Sequence, residues 1–507
     1  MVMQIPVVDI FAGPGGLGEG FSAFAPVRRP KESPFKIVVS AEMEANAART
    51  LRLRAFYRQF PRGHAPISYY EYVAGRRADP WTSATEKQWL AACDEARQLT
   101  LGETDDDAFL YERIGAGIKK DDPWVLIGGP PCQAYSLVGR SRNQGISGYS
   151  PESDHRHFLY RHYLHIIQKF RPTAFVMENV KGILSSKVGG AHIFPRILED
   201  LERPGGKKGG RYQIVPLVLP ADGGASSASS RYVLRAEELG VPQARHRVVL
   251  LGLMEGVRIR PDALLKAQED RYDVRAVIGG LPRLRSGITD AVDDRWPEKA
   301  FSLLRSTARA ARRWQPEVAG YLQQLSMSAA KARDPGSGGR WMPKRSGVDA
   351  VPDHLTDWLL DPRLDGVLNH EVRAHMEADL MRYAYAAAFA KEHGHSPRGA
   401  EEFPEALHPD HRNWESGKFI DRFKVQQWKF PSSTVTSHLS KDGHYFIHPD
   451  ASQLRSLSVR EAARLQTFPD NYFFEGARGA QFRQVGNAVP PWMARQIASV
   501  VYAHLAG

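Results

Sequence analysis

Five short apolar runs mark the first half of the chain: Val7–Phe11, Lys36–Ser40, Trp124–Ile127, Thr173–Met177 and Val248–Gly252. Each is closed by glycine, a charged residue or a turn, and none alternates cleanly with polar residues. Short continuous runs of this kind read as strands buried on both faces. Helical periodicity between them predicts helices over about 45–57 and about 155–170, so the alternation points to an α/β fold. The pattern breaks twice. From about 78 to 122 the chain is polar and irregular, with a helical stretch near 84–99 and an acidic run at 103–107. It reads as an insertion and is assigned no chemistry. From 253 to about 430 the chain is helix-leaning and rich in Arg, His and Trp, and reads as a separate domain. Order returns with a capped helix over 457–469, ended by Pro469, and a terminal helix after Pro490 and Pro491. The expected division is therefore 1–252, 253–456 and 457–507, with exposed low-complexity loops at 204–210 and 221–230.

Composition narrows the class. A chain of 507 residues holds two to four domains, and 42% hydrophobic with 25% charged residues is globular usage. No run of about 18 apolar residues occurs, and the N-terminus has no basic region ahead of an apolar core, so neither a membrane span nor a signal peptide is expected. The only cysteines are Cys93 and Cys132, which excludes a disulfide framework or a cysteine-built zinc site and fits a reducing cytoplasm. Histidines 393, 395, 408 and 411 lack metal-ligand spacing, and no metal is expected. A net charge of +11 permits a polyanionic partner.

Two turns carry candidate chemistry. Gly13, Gly15 and Gly18 form G-x-G-x-x-G between a strand and a helix, and Glu42 ends the next strand about 24 residues beyond Gly18. Glycines let backbone approach a ligand, and a carboxylate at that spacing accepts from ribose hydroxyls. The turn alone admits NAD as readily as S-adenosylmethionine. Gly128–Ser136 follows the third run, with Pro130 and Pro131 stiffening the backbone just ahead of Cys132. A thiol there, at the carboxyl end of a strand and followed by polar residues, suits a nucleophile facing a cleft.

In order, the segments 9–21, 130–133, 178–180, 243–247, 460–469 and 486–491 resemble the DNA (cytosine-5)-methyltransferases; the region 253–430 matches in position only. The resemblance implies a Rossmann-like methyltransferase sheet with a second, target-recognition domain, and transfer of a methyl group from S-adenosylmethionine to carbon 5 of a flipped-out cytosine in double-stranded DNA. It casts Cys132 as the nucleophile at carbon 6, Glu178 as the acid at ring nitrogen 3, and Arg247 as donor to the cytosine carbonyl. Arg245 and Gln243 are grouped with them and expected to order the surrounding loops. Phe11, Ala12, Gly13, Gly15, Gly16, Leu17, Glu42, Met43, Pro130, Asn487 and Val489 are implied to line the cofactor. Ser136, Arg140, Arg142, Arg422, Lys424 and Thr434 are the expected DNA contacts, and 340–345 and 418–429 mix cations with aromatics in the same sense. The setting implied is a monomeric prokaryotic modification enzyme, cytoplasmic and nucleoid-associated, paired functionally with a restriction endonuclease. One departure stands out: the family's Gly-Asp before the third strand is missing, and the nearest candidate, Pro66–Tyr70, offers Ser68 or a backbone carbonyl in place of the carboxylate.

The chemistry explains the company these residues keep. A free thiol is only a few per cent ionised at pH 7, a deficit of about 2 kcal/mol. Ring activation by a positioned acid is asked for more, roughly 3–5 kcal/mol. A nicotinamide oxidoreductase would leave Cys132 and Glu178 idle. A tRNA cytosine-5 methyltransferase uses the same blocks but a smaller recognition segment, and a catalytically dead DNA-binding regulator would not keep every chemical residue.

Overall fold

A computed structural model describes residues 4–30, 32–119, 122–131, 156–188, 191–206, 210–218, 229–269, 271–289, 295–344, 351–410, 414 and 421–506. Its centre is a sheet of β1 (Ile5–Ile10), β2 (Phe35–Glu42), β3 (Ala96–Gln98), β4 (Val125–Gly128), β5 (Ala174–Val180), β6 (Tyr212–Val215), β7 (Val233–Arg235) and β8 (His246–Met254). The order is β3-β2-β1-β4-β5-β8-β6, with β7 also paired to β8. β1 to β5 run parallel, and β8 is antiparallel to β5, β6 and β7. The order reverses between β1 and β4, the place where open α/β sheets form their ligand crevice.

Strict alternation fills both faces. Ile5 and Val7 of β1, Val125 and Ile127 of β4, and Val249 and Leu251 of β8 share one core with helix α1 (Gly16–Ser22) and the helix Pro491–Leu505. Val8 and Ile10, Leu126, and Val248 and Leu250 point the other way, against the helices Thr104–Gly117, Arg156–Phe170 and Phe194–Glu202. Continuous apolar runs are what such two-sided burial requires.

The segment 78–122 departs from its sequence reading. It is part of the sheet's framework: the helix Glu86–Glu95 leads into edge strand β3, and Thr104–Gly117 buries Leu110 and Ile114 against the sheet. The acidic run is that helix's first turn, where Asp105, Asp106 and Asp107 oppose the positive end of the helix dipole. Pro66–Tyr70 is no strand either. Ile67–Val73 is helical, and Ser68 is buried with its hydroxyl donating to the Pro80 carbonyl at 2.8 Å.

The middle region builds its own core from the helices Trp296–Ala311, Pro316–Ala329 and Glu377–His393. A further core joins Val274–Ile278 and Asp353–Leu359 to the returning chain, Val459–Leu465 and Arg478–Asn487. Val459–Leu465 starts at a capping box in which Ser458 and Glu461 satisfy each other's backbone amides.

Candidate active site

The glycine turn leaves β1 through Phe11, whose φ of 55° is unusual for a residue with a side chain. Gly13 and Gly15 follow at φ 57° and 96°, where only glycine sits without strain. Among the described residues a Cβ on Gly13 would meet nothing within 4 Å, so that side of the turn is open to them. A Cβ on Gly16 would run into the Val489 carbonyl, so the C-terminal block seats directly on the turn. Leu17 is buried, and Ala12 is half-buried with its amide bonded to the Ala41 carbonyl at 3.2 Å. Glu42 accepts from the Gly13 amide at 2.8 Å and the Glu44 amide at 2.9 Å, and burial raises its pKa. Met43 beside it is 60% exposed. Asn487, the last residue of its helix, is exposed, whereas Val489 is buried. Open turn, carboxylate and exposed Met43 together fit an adenosine-type cofactor.

β4 ends beside β1, with Gly128 opposite Ile10, and beside β5, with Gly128 opposite Met177. The next residue of β5 is Glu178. A Cβ on Gly129 would stand 3.0 Å from its Oε2, so this glycine lets the loop backbone approach the carboxylate. Pro130 is buried, and its carbonyl accepts from Asn179 Nδ2 at 3.1 Å. Sequence reading gave Asn179 no role; the side chain anchors the loop that leads to Cys132. Cys132, Ser136, Arg140 and Arg142 themselves lie outside the described residues.

Glu178 faces Val249 across the antiparallel β5–β8 pair, and Val180 faces Arg247. Residues two apart share a face, so Arg247 is the diagonal neighbour of Glu178. Its Nε lies 2.8 Å from Glu178 Oε1, with both side chains nearly buried. A carboxyl and a guanidinium are thus held side by side, next to the Pro130 loop.

Gln243 and Arg245 have a different job. Gln243 is buried, accepts from the Val435 amide at 2.8 Å and donates to the Leu465 carbonyl at 3.2 Å. Arg245 is 1% exposed and donates to the carbonyls of Val435, Gly486 and Ala488 at 2.7, 3.3 and 2.8 Å. Burial, with Arg247 nearby, depresses its pKa strongly. Among the described residues, the side-chain partners of this pair are backbone groups and the Gln466 amide. They are positioning residues: grouped with the catalytic set, they instead tie β8 to the end of the middle region and to the returning chain.

The expected DNA contacts divide in the same way. The Thr434 hydroxyl donates to the Ala244 carbonyl at 2.7 Å, where Ser432–Ser433 pairs with Gln243–Ala244, so it braces the strand. Arg422 lies 3.5 Å from Asp442, whereas Lys424 is exposed. Arg340 is already engaged within the protein. Its guanidinium donates to the carbonyls of Val73 and Tyr72 at 3.1 and 2.6 Å and stacks 4.4 Å from the Phe473 ring centroid. Trp341 is bonded to Asp365 at 3.0 Å and covered by Arg76, 4.6 Å away. A large cavity of about 830 Å³ lies apart from these strand ends, in the middle region between Trp428, Lys391 and Arg455.

Comparison with known proteins agrees with this geometry. Residues 103–316 and 351–503 match the family model described as C-5 cytosine-specific DNA methylase. Type II methyltransferase M.Bpa9945I of Bacillus paralicheniformis is 32% identical over 98% of this chain and 99% of its own length. Type II methyltransferase M.AgeI of Thalassovita gelatinovora is 27% identical over 97% and 98%. A solved E. coli structure described as a prophage-encoded DNA modification methyltransferase superposes with a TM-score of 0.51 at 18% identity, over 99% of this chain and all of that one. That likeness bears on the fold alone.

Proposed function

The chain belongs to the C-5 cytosine-specific DNA methylase family, and from that premise we propose that it methylates carbon 5 of one cytosine in a specific double-stranded DNA site through a covalent bond to Cys132. S-adenosylmethionine supplies, when bound, a methyl group on a sulfonium, which a sufficiently electron-rich carbon can take up. Gly13–Leu17, Glu42 and Met43 are the residues that would hold it, with Val489 closing the turn from behind.

The residues of this chain make carbon 5 electron-rich. Addition of the Cys132 thiolate to carbon 6 places an electron pair on the ring, and the charge develops toward nitrogen 3 and the carbonyl oxygen. Glu178 gives a proton or hydrogen bond at nitrogen 3, and Arg247 donates at the carbonyl. The observation that carries this reading is the 2.8 Å Arg247–Glu178 pair at the strand ends beside the Pro130 loop. After methylation, removal of the proton from carbon 5 lets the Cys132–carbon 6 bond break and restores the thiolate. The target leaves the duplex first, at a cost of a few kcal/mol in order of magnitude. Residues 253–456 are proposed to read the site, and the enzyme is proposed to be the modification partner of a restriction endonuclease.

The test uses DNA carrying 5-fluorocytosine at the target. Fluorine cannot leave as a cation, so the bond to carbon 6 persists. A denaturation-resistant adduct dependent on S-adenosylmethionine is expected with wild type and Cys93→Ser, and none with Cys132→Ser. An adduct mapping to Cys93, or forming equally with Cys132→Ser, refutes the mechanism.

A further inference from the structure

Tyr472 lies just beyond Pro469, outside the motifs on which the functional reading rests. It is fully buried, packed between the rings of Phe468 and Phe474, with the Arg54 guanidinium 4.7 Å from its ring centroid. Its hydroxyl donates to the Pro14 carbonyl and stands 3.0 Å from the place a Cβ on Gly15 would occupy. It therefore touches the crest of the glycine turn at Pro14 and Gly15. Burial raises the phenol's pKa, so the proton stays available to donate at any working pH.

The ring is held from behind by a buried polar set. Asn471 accepts from Arg54 at 2.9 Å and donates to the Tyr57 hydroxyl and to Asp361 at 2.7 and 2.6 Å. Arg54 is bidentate to Glu19 of α1, at 2.8 and 2.5 Å. The turn and the helix that follows it are thus gripped at Pro14 and at Glu19 by one connected network. Such a network, with its members satisfied, fixes a single arrangement.

We propose that Tyr472 is a positioning residue for the cofactor: acting through the Pro14 carbonyl, it keeps the glycine turn preformed in the conformation that Gly13 and Gly15 adopt. The proposal rests on the reading of that turn as the S-adenosylmethionine site. A ligand that meets a preformed turn avoids the cost of ordering it.

Tyr472→Phe removes the hydroxyl alone. Calorimetric titration with S-adenosylhomocysteine should show a Kd about tenfold higher, the loss expected for one buried hydrogen bond, while kcat at saturating cofactor stays within about twofold. Hydrogen exchange at the Gly15 amide, bonded to the Ala12 carbonyl at 2.9 Å, should be slow in the ligand-free wild type and faster in the variant. A lower melting temperature with unchanged Kd and unchanged Gly15 exchange would reduce Tyr472 to a packing residue and overturn the proposal. Should the variant not fold, the wild type decides: a Gly15 amide unprotected until ligand is added refutes a preformed turn. A wild type that ignores S-adenosylhomocysteine refutes the cofactor reading itself, a separate outcome.

Discussion

Asp9 is the one residue of β1 whose burial makes a quantitative claim about pH. It is 1% exposed, neither of its oxygens makes a well-formed hydrogen bond among the described residues, and Oδ2 lies 2.7 Å from where a Cβ on Gly18 would fall. Burial pushes its pKa from 3.8 up to about 8. Arg58 and the Gly18 amide pull the other way, while Glu42 and Glu95 add to the rise. The carboxyl is therefore neutral at pH 7 in the folded chain and ionised in the unfolded one. Holding a proton roughly 3 pH units above the ordinary value costs about 4 kcal/mol at pH 7. Because the folded value is the raised one, the full stability is present below the unfolded pKa and is lost as pH climbs toward about 8. Asp9→Asn keeps the shape and cannot ionise, so it removes that loss. The variant should match wild type near pH 4 and gain about 1.4 kcal/mol per pH unit up to the folded pKa. For a chain of this size that is about 2 °C of melting temperature per pH unit at most. Melting curves of both proteins at pH 5, 6, 7 and 8 and constant ionic strength read the difference directly, since other titrating groups are common to both. A gap that stays constant from pH 5 to 8 would mean the carboxyl is ionised throughout, and the reasoning would fail.

Two further outcomes test the chemistry and its division between domains. Glu178→Gln should lower turnover at least about a hundredfold with S-adenosylhomocysteine affinity little changed; activity within a few-fold of wild type would move the acid elsewhere. Exchanging about 260–430 for the same region of a related enzyme should transfer the methylated site, mapped by methylation-sensitive sequencing; persistence of the old site would put the reader in the catalytic domain.

Much of the site was legible because its backbone demands are extreme. A turn with positive φ at Gly13 and Gly15, a Gly129 pressed against Glu178, and a Ser458–Glu461 capping box each admit few residues, so each leaves a mark in the sequence. The edge strand Ala96–Gln98 left none. It is three residues long, two of them exposed, and pairs along one side only, so neither apolar continuity nor alternation could betray it. Without β3 as a landmark, the nearest candidate for the segment that precedes the third strand is Pro66–Tyr70, which opens a helix. The acidic run at 103–107 carried a usable signal, acids at a helix start, that was read as polarity alone. Arg340 and Trp341 show a different limit. A cation beside an aromatic looks the same whether it waits for a phosphate or already grips Phe473, Val73 and Asp365. Asn179 was hidden by adjacency: next to Glu178, its amide seemed a bystander, and only the fold brings it to Pro130.

The seating of Val489 on Gly16, and of the helix Pro491–Leu505 on α1, has a consequence for how the enzyme comes into being. The glycine turn leaves the ribosome about 470 residues ahead of the surface that closes it. At about 5–20 residues per second, roughly half a minute to a minute and a half separates the two. Throughout that interval Leu17 and Phe21 of α1 lack the apolar partner they have in the finished core. The nascent chain therefore carries an exposed sticky face for most of its synthesis. Translation stopped short of Val489 leaves the glycine turn unseated.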